Sequence, residues 1–190
     1  MINDCYYDNF DRKENLHFDS QTVHGALGYD PITGSVSFPI FQTSTFRHRD
    51  FQISTGYDYT RLQNPTRQEL ERTIAILEEG EEGFAFSSGQ AANMAVFALL
   101  KPGDHVMMTD DIYGGTFRMC EDVFTAEGCE FSYLDMGDMA RVEAAFRPNT
   151  KMIYIETPTN PMMKVADIRK IAEFAKEKGV LFVVDNTFMT

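Results

Sequence analysis

The sequence predicts an α/β fold built on a mainly parallel β-sheet that helices cover on both faces. Short apolar segments such as HVMMTD, KMIYIE and VLFVVD alternate with helical segments about five times after residue 64. Strands that are apolar throughout are typical of parallel sheets buried on both sides. Four predicted strands end in polar or turn residues, at FSSGQ, TDDIYGGT, ETPTNP and DNT. Because ligands gather at the carboxyl ends of parallel strands, these loops predict a binding site on one rim.

Residues 1–60 differ from the rest of the chain because they show little periodicity. They are rich in Gly, Pro, Thr and Ser and predict an extended N-terminal arm with short turns. Such an arm cannot bury itself, so we expect it to lie on another surface, such as a second subunit. Residues 61–190 form the predicted partial α/β domain.

The first element of that domain is a helix in NPTRQELERTIAILEEG. Asn64 suits its N-cap, Pro65 its first position and Gly80 its end. Apolar residues recur at helical spacing and predict one apolar face, formed by Leu70, Ile74 and Leu77.

The later elements follow in strict alternation. GFAFSS predicts a short strand, and GQAANMAVFALL predicts a helix that ends before Lys101. HVMMTD, CEFSYLD, KMIYIE and VLFVVD predict further strands. Helices are expected in TFRMCEDVFTAEG and near residues 138–146 and 166–178.

Composition excludes several classes of function. The chain of 190 residues has 29 acidic and 17 basic residues, a net charge of −12, which argues against a nucleic-acid partner. It has no basic, apolar signal peptide and no apolar run near the roughly 18 residues of a membrane span. The three cysteines lack a CxxC pair and the histidines are scattered, which favours a cytoplasmic protein without a metal site.

The FSSGQAANM stretch joins a predicted strand to a helix through small residues. Free N–H groups at a helix start bind anions, so a phosphate site is one interpretation. An ordinary N-cap at Ser87 or Ser88 is the other. Neither a P-loop nor a GxGxxG dinucleotide fingerprint occurs in the chain.

Two single side chains on the rim allow two interpretations each. Tyr113, in YGGTF, would stack on a flat ring or transfer a proton, or else be a partly buried tyrosine. Asp185 ends an apolar strand, where a carboxylate needs a cation or several donors. A protonated ring nitrogen of a cofactor would meet that need, as would a structural ion pair or a role in capping the loop.

Two further segments contribute polar groups. ETPTNPMMKV predicts a rigid loop in which Glu156 and Asn160 are expected to face a ligand, although turn chemistry alone also explains it. YDYTRLQNPT offers Tyr59 and Arg61 at the end of the arm. A guanidinium suits phosphate, and a surface arginine is the alternative.

Five segments together resemble the cysteine/methionine-metabolism family of pyridoxal-phosphate (PLP) enzymes, the trans-sulfuration group. These are YDYTRLQNPTR, FAFSSGQAAN, DDIYGGTFR, TKMIYIETPTNPMMKVADI and VVDNTFMT, in family order and with family-like spacing from about residue 20 to 190. The resemblance implies the large domain of the aspartate-aminotransferase type (fold type I), with pyridoxal 5'-phosphate as cofactor.

The resemblance also implies roles for individual residues at the phosphate end of the cofactor. Tyr59 and Arg61 look like the pair that reaches the cofactor phosphate of an adjacent subunit. Gly89 and Gln90 resemble the loop whose N–H groups hold the phosphate, where the family often has Met in place of Gln90.

Four more residues are implied at the cofactor ring. Tyr113 is similar to the catalytic tyrosine that stacks on the pyridine ring and assists proton transfer. Asn160 matches the residue near the phenolic oxygen. Asp185 matches the catalytic partner of the pyridine nitrogen, and Thr187 lies in the same motif.

The implied chemistry is elimination or replacement on sulfur-containing amino acids. ETPTNP and DIYGGTF resemble the cystathionine γ-lyase and γ-synthase branch, while O-acetylhomoserine sulfhydrylases and methionine γ-lyases are the alternatives. The methionine γ-lyases typically carry Cys where Gly115 stands. The family is usually a homotetramer, a dimer of dimers whose sites are shared between subunits.

The chain departs from the family pattern at the Schiff-base lysine, which lies about 20 residues beyond the DNT motif. None of its seven lysines matches that motif, and Lys164 is the one nearest a rim loop. We therefore expect this chain to be the N-terminal portion of a longer enzyme, without the small C-terminal domain of that enzyme. A non-catalytic fragment, and a generic α/β domain without cofactor, are the competing hypotheses.

Overall fold

The computed structural model describes residues 16–26, 29–30 and 32–190. These residues form two compact units, one that ends at Ala85 and one that spans Phe86–Thr190. The predicted boundary between arm and domain at residues 60 and 61 stays a prediction. No helix of the described residues is long and apolar enough to cross a membrane.

The first unit contains helix α1 (Phe18–His24) and helix α2 (Pro65–Leu77). Helix α1 was not predicted, because its seven residues include no buried side chain that would give an apolar period. Helix α2 begins as predicted: the Asn64 side chain accepts a hydrogen bond from the Thr66 N–H at 2.9 Å. Its predicted apolar face is largely exposed, since Leu70 and Ile74 lie open to solvent within this unit.

The segments between the two helices are attached to the start of α2 by polar contacts. The Asn64 amide donates to the Phe41 carbonyl at 3.0 Å. The Thr66 hydroxyl donates to the Pro39 carbonyl at 3.1 Å and accepts from the Phe41 N–H at 2.9 Å. Farther along, Thr45 forms an isolated antiparallel bridge with Tyr59.

The strand predicted in GFAFSS is not formed, which corrects the sequence interpretation. Residues 83–86 have no regular structure, and the Ala85 N–H donates to the Glu71 carboxylate at 2.9 Å instead of to a neighbouring strand. A strand needs a partner for its backbone groups, and no described strand pairs with this segment. Phe84 and Phe86 are both exposed.

The second unit is the predicted parallel sheet with its covering helices. Its strands are β1 (His105–Thr109), β2 (Glu130–Leu134), β3 (Thr150–Glu156) and β4 (Leu181–Asp185). All pairings are parallel, in the order β2-β1-β3-β4. In the register, Met107 lies beside Ser132 and Ile153, and Ile153 lies beside Phe182.

The helices of this unit are α3 (Gly89–Phe97), α4 (Gly114–Met119), α5 (Met139–Ala145) and α6 (Ile168–Lys178). Helix α3 ends three residues before the predicted Leu100. Helix α4 continues into a wider π-helical turn, Cys120–Phe124, where a single predicted helix was expected.

The core lies on both faces of the sheet. Side chains alternate along β3, so that Met152 and Tyr154 pack with Phe97 of α3 on one face. Ile153 and Ile155 pack with Ile171 of α6 on the other. Because both faces are covered, the middle of β1 and of β3 is largely apolar, and the polar residues Thr109, Glu156 and Asp185 stand where β1, β3 and β4 end.

Candidate functional site

A cavity of about 300 Å³ opens at the carboxyl edge of the sheet. All four predicted rim segments line it, which confirms that they converge. Its lining residues lie at the start of α3 and after β1, β3 and β4: Ser88, Gly89, Gln90, Asn93, Tyr113, Glu156, Pro158, Asn160, Asp185, Thr187 and Phe188. Strand β2 contributes no residue to this lining.

The start of α3, at Ser88, Gly89 and Gln90, lines the cavity. The Ser88 side chain caps the helix by accepting from the Ala91 N–H at 3.1 Å, so the capping interpretation is correct for Ser88. The N–H groups of Gly89 and Gln90 have no hydrogen-bond partner within the described second unit. Free donors at a helix start favour an anion, so capping and anion binding are compatible here.

Tyr113 stands at the mouth of the cavity with its side chain 46% exposed. Its ring lies close to Gly115: a Cβ added at Gly115 would come within 2.5 Å of the Tyr113 Cε1. The absence of a side chain at Gly115 therefore allows the ring to take this position.

Glu156 joins the two loops that carry Tyr113 and Asn160. One carboxylate oxygen accepts from the Tyr113 N–H at 2.8 Å, and the other accepts from the Asn160 N–H at 2.8 Å. Burial raises the pKa of Glu156, while the two backbone N–H bonds act in the opposite direction. The sequence predicted that Glu156 faces a ligand. Although it lines the cavity, both of its carboxylate oxygens accept hydrogen bonds from loop backbones.

Asp185 ends β4 and has donors on both carboxylate oxygens. Oδ1 accepts from the Thr187 N–H at 3.1 Å and from the Thr187 hydroxyl at 2.5 Å. Oδ2 lies 3.0 Å from the hydroxyl of Tyr154. Within the described second unit no lysine, arginine or histidine forms an ion pair with Asp185. The loop-capping interpretation is therefore observed, and the structural ion pair is not.

Sequence reasoning missed Tyr154 and Asn93. Tyr154 is fully buried in β3, and its hydroxyl also lies 2.9 Å from the Asn93 Oδ1 in α3. The Asn93 Nδ2 lies 3.3 Å from the hydroxyl of Thr116, which also accepts from the Gln90 amide at 3.1 Å. A tyrosine inside an apolar strand, which needs a partner for its hydroxyl, was the available signal.

Lys164 is near the rim but does not line the large cavity. Its Nζ pairs with both carboxylate oxygens of Asp110, at 3.0 and 3.1 Å. This hydrogen bonding raises the pKa of Lys164, so the amine is held as an ammonium ion and is a poor nucleophile.

Tyr59 and Arg61 belong to the first unit, where the two side chains contact each other. The guanidinium carbon of Arg61 lies 4.7 Å from the centre of the Tyr59 ring, a cation–π contact. Both residues are exposed within that unit. Their predicted reach to a cofactor phosphate stays a prediction.

Known proteins resemble the chain in sequence and in structure. A cystathionine gamma-lyase of Bacillus subtilis (strain 168) is 51% identical over 168 residues, which are 88% of this chain and 44% of the relative. A cystathionine beta-lyase of the same organism is 49% identical over 178 residues, 94% of this chain and 46% of the relative. The crystal structure of cystathionine gamma-lyase from Lactobacillus plantarum complexed with L-serine matches with a TM-score of 0.86 and 45% identity, covering 90% of this chain and 45% of that one.

The chain thus spans about half the length of the relatives that it matches. The similar structures confirm the predicted fold type. The model of the family described as "Cys/Met metabolism PLP-dependent enzyme" matches residues 19–190. The chain therefore belongs to this family of PLP-dependent enzymes.

Proposed function

We propose that this chain forms the cofactor-binding part of a PLP-dependent trans-sulfuration enzyme that acts on cystathionine or a similar sulfur-containing amino acid. One observation supports the proposal above all: free helix N–H groups and the carboxylate of Asp185 line the same cavity. PLP is itself an anion at one end and a protonated heterocycle at the other. The cavity volume of about 300 Å³ lies at the lower end of the range for small-molecule sites.

At the phosphate end, Gly89 and Gln90 would donate their backbone N–H groups. The start of α3 adds the positive end of the helix dipole, which favours the same anion. The Gln90 side chain is directed to Thr116 by its 3.1 Å hydrogen bond, which leaves the backbone as the donor at this position.

At the ring end, Asp185 would accept the N–H of the pyridinium and keep that nitrogen protonated. Thr187 fixes one carboxylate oxygen by two hydrogen bonds. Tyr113 would cover the ring face and offer its hydroxyl for proton transfer, and Asn160 would contact the phenolic oxygen. Glu156 sets the position of both Tyr113 and Asn160 through their backbones.

When bound, PLP withdraws electrons from the α-carbon of an amino-acid substrate. The part of the protein described here would hold the ring and the phosphate, and Tyr113 would move a proton at the rim. We propose loss or exchange of a sulfur substituent at the γ-carbon, as the name of the γ-lyase relative indicates. The β-lyase relative by name cleaves cystathionine at the β-carbon, so the relatives share cleavage of a carbon–sulfur bond.

Tyr59 and Arg61 are proposed to bind the cofactor phosphate of an adjacent subunit in a homo-oligomer, a dimer of dimers. Their exposure and mutual contact in the first unit are consistent with a preformed basic and aromatic pair. We also propose a cytoplasmic location, because Cys120 and Cys129 are free thiols.

Binding of PLP and of pyridoxamine 5'-phosphate, which cannot condense with lysine, tests the cofactor site. Calorimetry should detect binding of the amine form by the chain, weakened about tenfold or more in Asp185→Ala, the loss typical of a charge-assisted hydrogen bond. Asp122→Ala, an exposed carboxylate outside the cavity, is the matched control.

A second measurement tests the expectation that the chain alone is inactive. After addition of PLP, borohydride reduction and removal of excess cofactor, we expect no single lysine to be labelled stoichiometrically. A stable adduct at one lysine would contradict this expectation, and equal binding by wild type and Asp185→Ala would contradict the proposed ring contact.

A further inference from the structure

Tyr154 lies beneath the cavity and contacts the side chain that faces the proposed ring nitrogen. It is fully buried in the centre of β3, stacked on Phe97 at 5.2 Å between ring centres. Its hydroxyl has two neighbours that accept hydrogen bonds, Asp185 Oδ2 at 3.0 Å and Asn93 Oδ1 at 2.9 Å. Tyr154 itself is absent from the cavity lining.

A phenol has one proton and cannot donate to both neighbours. Burial, followed by the nearby Asp185 carboxylate, raises the pKa of Tyr154, so the hydroxyl keeps its proton throughout the physiological range. A hydrogen bond to a carboxylate is stronger than one to a neutral amide. The Tyr154 hydroxyl therefore donates its hydrogen bond to Asp185 in preference to Asn93.

The Asn93 amide accommodates that choice. A rotation of its side-chain amide by half a turn would place Nδ2 toward the Tyr154 oxygen and Oδ1 toward the Thr116 hydroxyl. Thr116, Asn93 and Tyr154 would then each accept one hydrogen bond and donate one. The bonds would run in the order Gln90, Thr116, Asn93, Tyr154 and Asp185. All these contacts lie on one side of the sheet, between α3, α4, β3 and β4.

We propose that Tyr154 is a positioning residue that donates its proton to Asp185 Oδ2 and so orients the carboxylate toward the ring nitrogen of the cofactor. This inference rests on the proposed function of the cavity. Thr187 holds Oδ1 and Tyr154 holds Oδ2, so the plane of the carboxylate is fixed before any ligand enters. A fixed acceptor loses less freedom when the ring N–H arrives.

The test compares two probes: pyridoxamine 5'-phosphate and its analogue with C–H in place of the ring nitrogen. Calorimetry is carried out on wild type, Tyr154→Phe, Asp185→Asn and the double variant. Tyr154→Phe should bind pyridoxamine 5'-phosphate about tenfold more weakly, as expected for loss of a hydrogen bond to a charged group. Its affinity for the analogue should change by less than about twofold, because that ligand makes no bond to Asp185.

Tyr133→Phe is the matched control. Tyr133 lies on β2, which contributes no residue to the cavity, and its hydroxyl donates to Glu121 at 2.8 Å. This substitution should leave both affinities unchanged. In the double variant, the losses for pyridoxamine 5'-phosphate should not add, because the two residues act through one contact. Should Tyr154→Phe fail to fold, 4-fluorophenylalanine at position 154 restores the volume without the proton.

Each outcome decides between the inferences. Equal weakening of both probes, or additive losses in the double variant, would show that Tyr154 acts by packing and would overturn the positioning role. If Tyr154→Phe has no effect while binding still depends on Asp185, the Tyr154 hydroxyl donates to Asn93 and not to Asp185. That result would also overturn the positioning role. Failure of wild type to bind pyridoxamine 5'-phosphate would overturn the proposed function and this inference together.

Discussion

The two units of the chain are held together in different ways. In the second unit four parallel strands satisfy one another's backbone groups, and helices bury large side chains such as Phe97 and Ile153 completely. In the described part of the first unit the buried apolar residues are Tyr57, Pro65 and Ala75, while Val36 and Phe51 are 85% and 86% exposed. Side-chain bonds to backbone carbonyls, as at Asn64 and Thr66, take the place of a core there.

The difference shows that the second unit has a large buried core, whereas the described residues of the first unit have a small one. Burial of apolar area is the main favourable term in folding, and the first unit leaves much of that area open within itself. That the N-terminal arm, residues 1–60, lies on another surface stays a prediction. The candidate cavity is lined by the second unit alone.

The largest predicted effect contrasts one residue type in the two units. Phe97→Ala removes a fully buried ring and should lower the free energy of unfolding by about 3–5 kcal/mol. Phe51→Ala removes an exposed ring and should change it by less than about 0.5 kcal/mol. Urea unfolding followed by circular dichroism measures both, and similar losses would contradict the contrast.

The next effect is the pH dependence of the second unit. Burial, with help from the nearby Arg147, lowers the pKa of His105 from 6.5 to about 4, and Glu130 opposes this shift. His105 therefore binds a proton below about pH 6.5 in the unfolded chain, but only below about pH 4 in the folded chain. The free energy of unfolding falls as the pH drops through this window.

Between pH 7 and pH 5 this histidine should account for a loss of about 2 kcal/mol in the free energy of unfolding. His105→Gln should reduce the pH dependence, even though it also disturbs the bonds to Thr150 and Ser132. His17→Gln, an exposed residue of the first unit, should leave it unchanged. An identical pH profile in the two variants would show that His105 is not responsible.

A smaller effect separates the two helix caps. Asn64→Ala and Ser88→Ala should each cost about 1 kcal/mol as caps. Asn64→Ala also removes the contact to Phe41, so residues 39–46 should exchange amide hydrogens faster and be cleaved sooner by protease. Ser88→Ala should leave exchange in that segment unchanged, and equal exchange in the two variants would contradict a local anchor at Asn64.

The smallest effect on stability is expected at the cavity. A methyl group at Gly115 would contact the Tyr113 ring, which can turn away toward solvent, so Gly115→Ala should change the free energy of unfolding by less than about 1 kcal/mol. Binding of pyridoxamine 5'-phosphate should weaken, because the ring that covers the cofactor has moved. Gly114→Ala is the control, because a Cβ added there would contact no other atom. Gly103→Ala is unsuitable, because the positive φ of Gly103 would strain an alanine. Unchanged affinity in Gly115→Ala would argue against stacking by Tyr113.

The sequence predicted the sheet and the convergence of the rim because both follow from local patterns. Apolar segments identify the strands, and the polar residues that follow them must meet at one edge when all strands are parallel. GFAFSS shows the limit of this reasoning: its composition favours a strand, but no described strand pairs with it. Pairing is a property of the fold and not of the segment.

The site was predicted less completely than the fold. Gly89 stands at a helix start, Asp185 ends a strand, and Tyr113 and Asn160 lie in loops that follow strands, where position indicates exposure to a ligand. Tyr154 and Asn93 lie inside regular elements, and their contact joins residues 61 positions apart. Only the packing of α3 on β3 brings them together, so the apolar strand around Tyr154 indicates that its hydroxyl needs a partner, but no local pattern identifies Asn93 as that partner.

Glu156 has a consequence for how this protein can change over time. Its carboxylate bonds to the backbones at both Tyr113 and Asn160, and Asp111 adds a second link by accepting from the Thr159 hydroxyl and the Met162 N–H. An insertion or deletion within residues 110–113 or 157–160 would break one of the two bonds of Glu156. We therefore expect both short segments to keep a constant length among descendants of this sequence, even where their side chains drift.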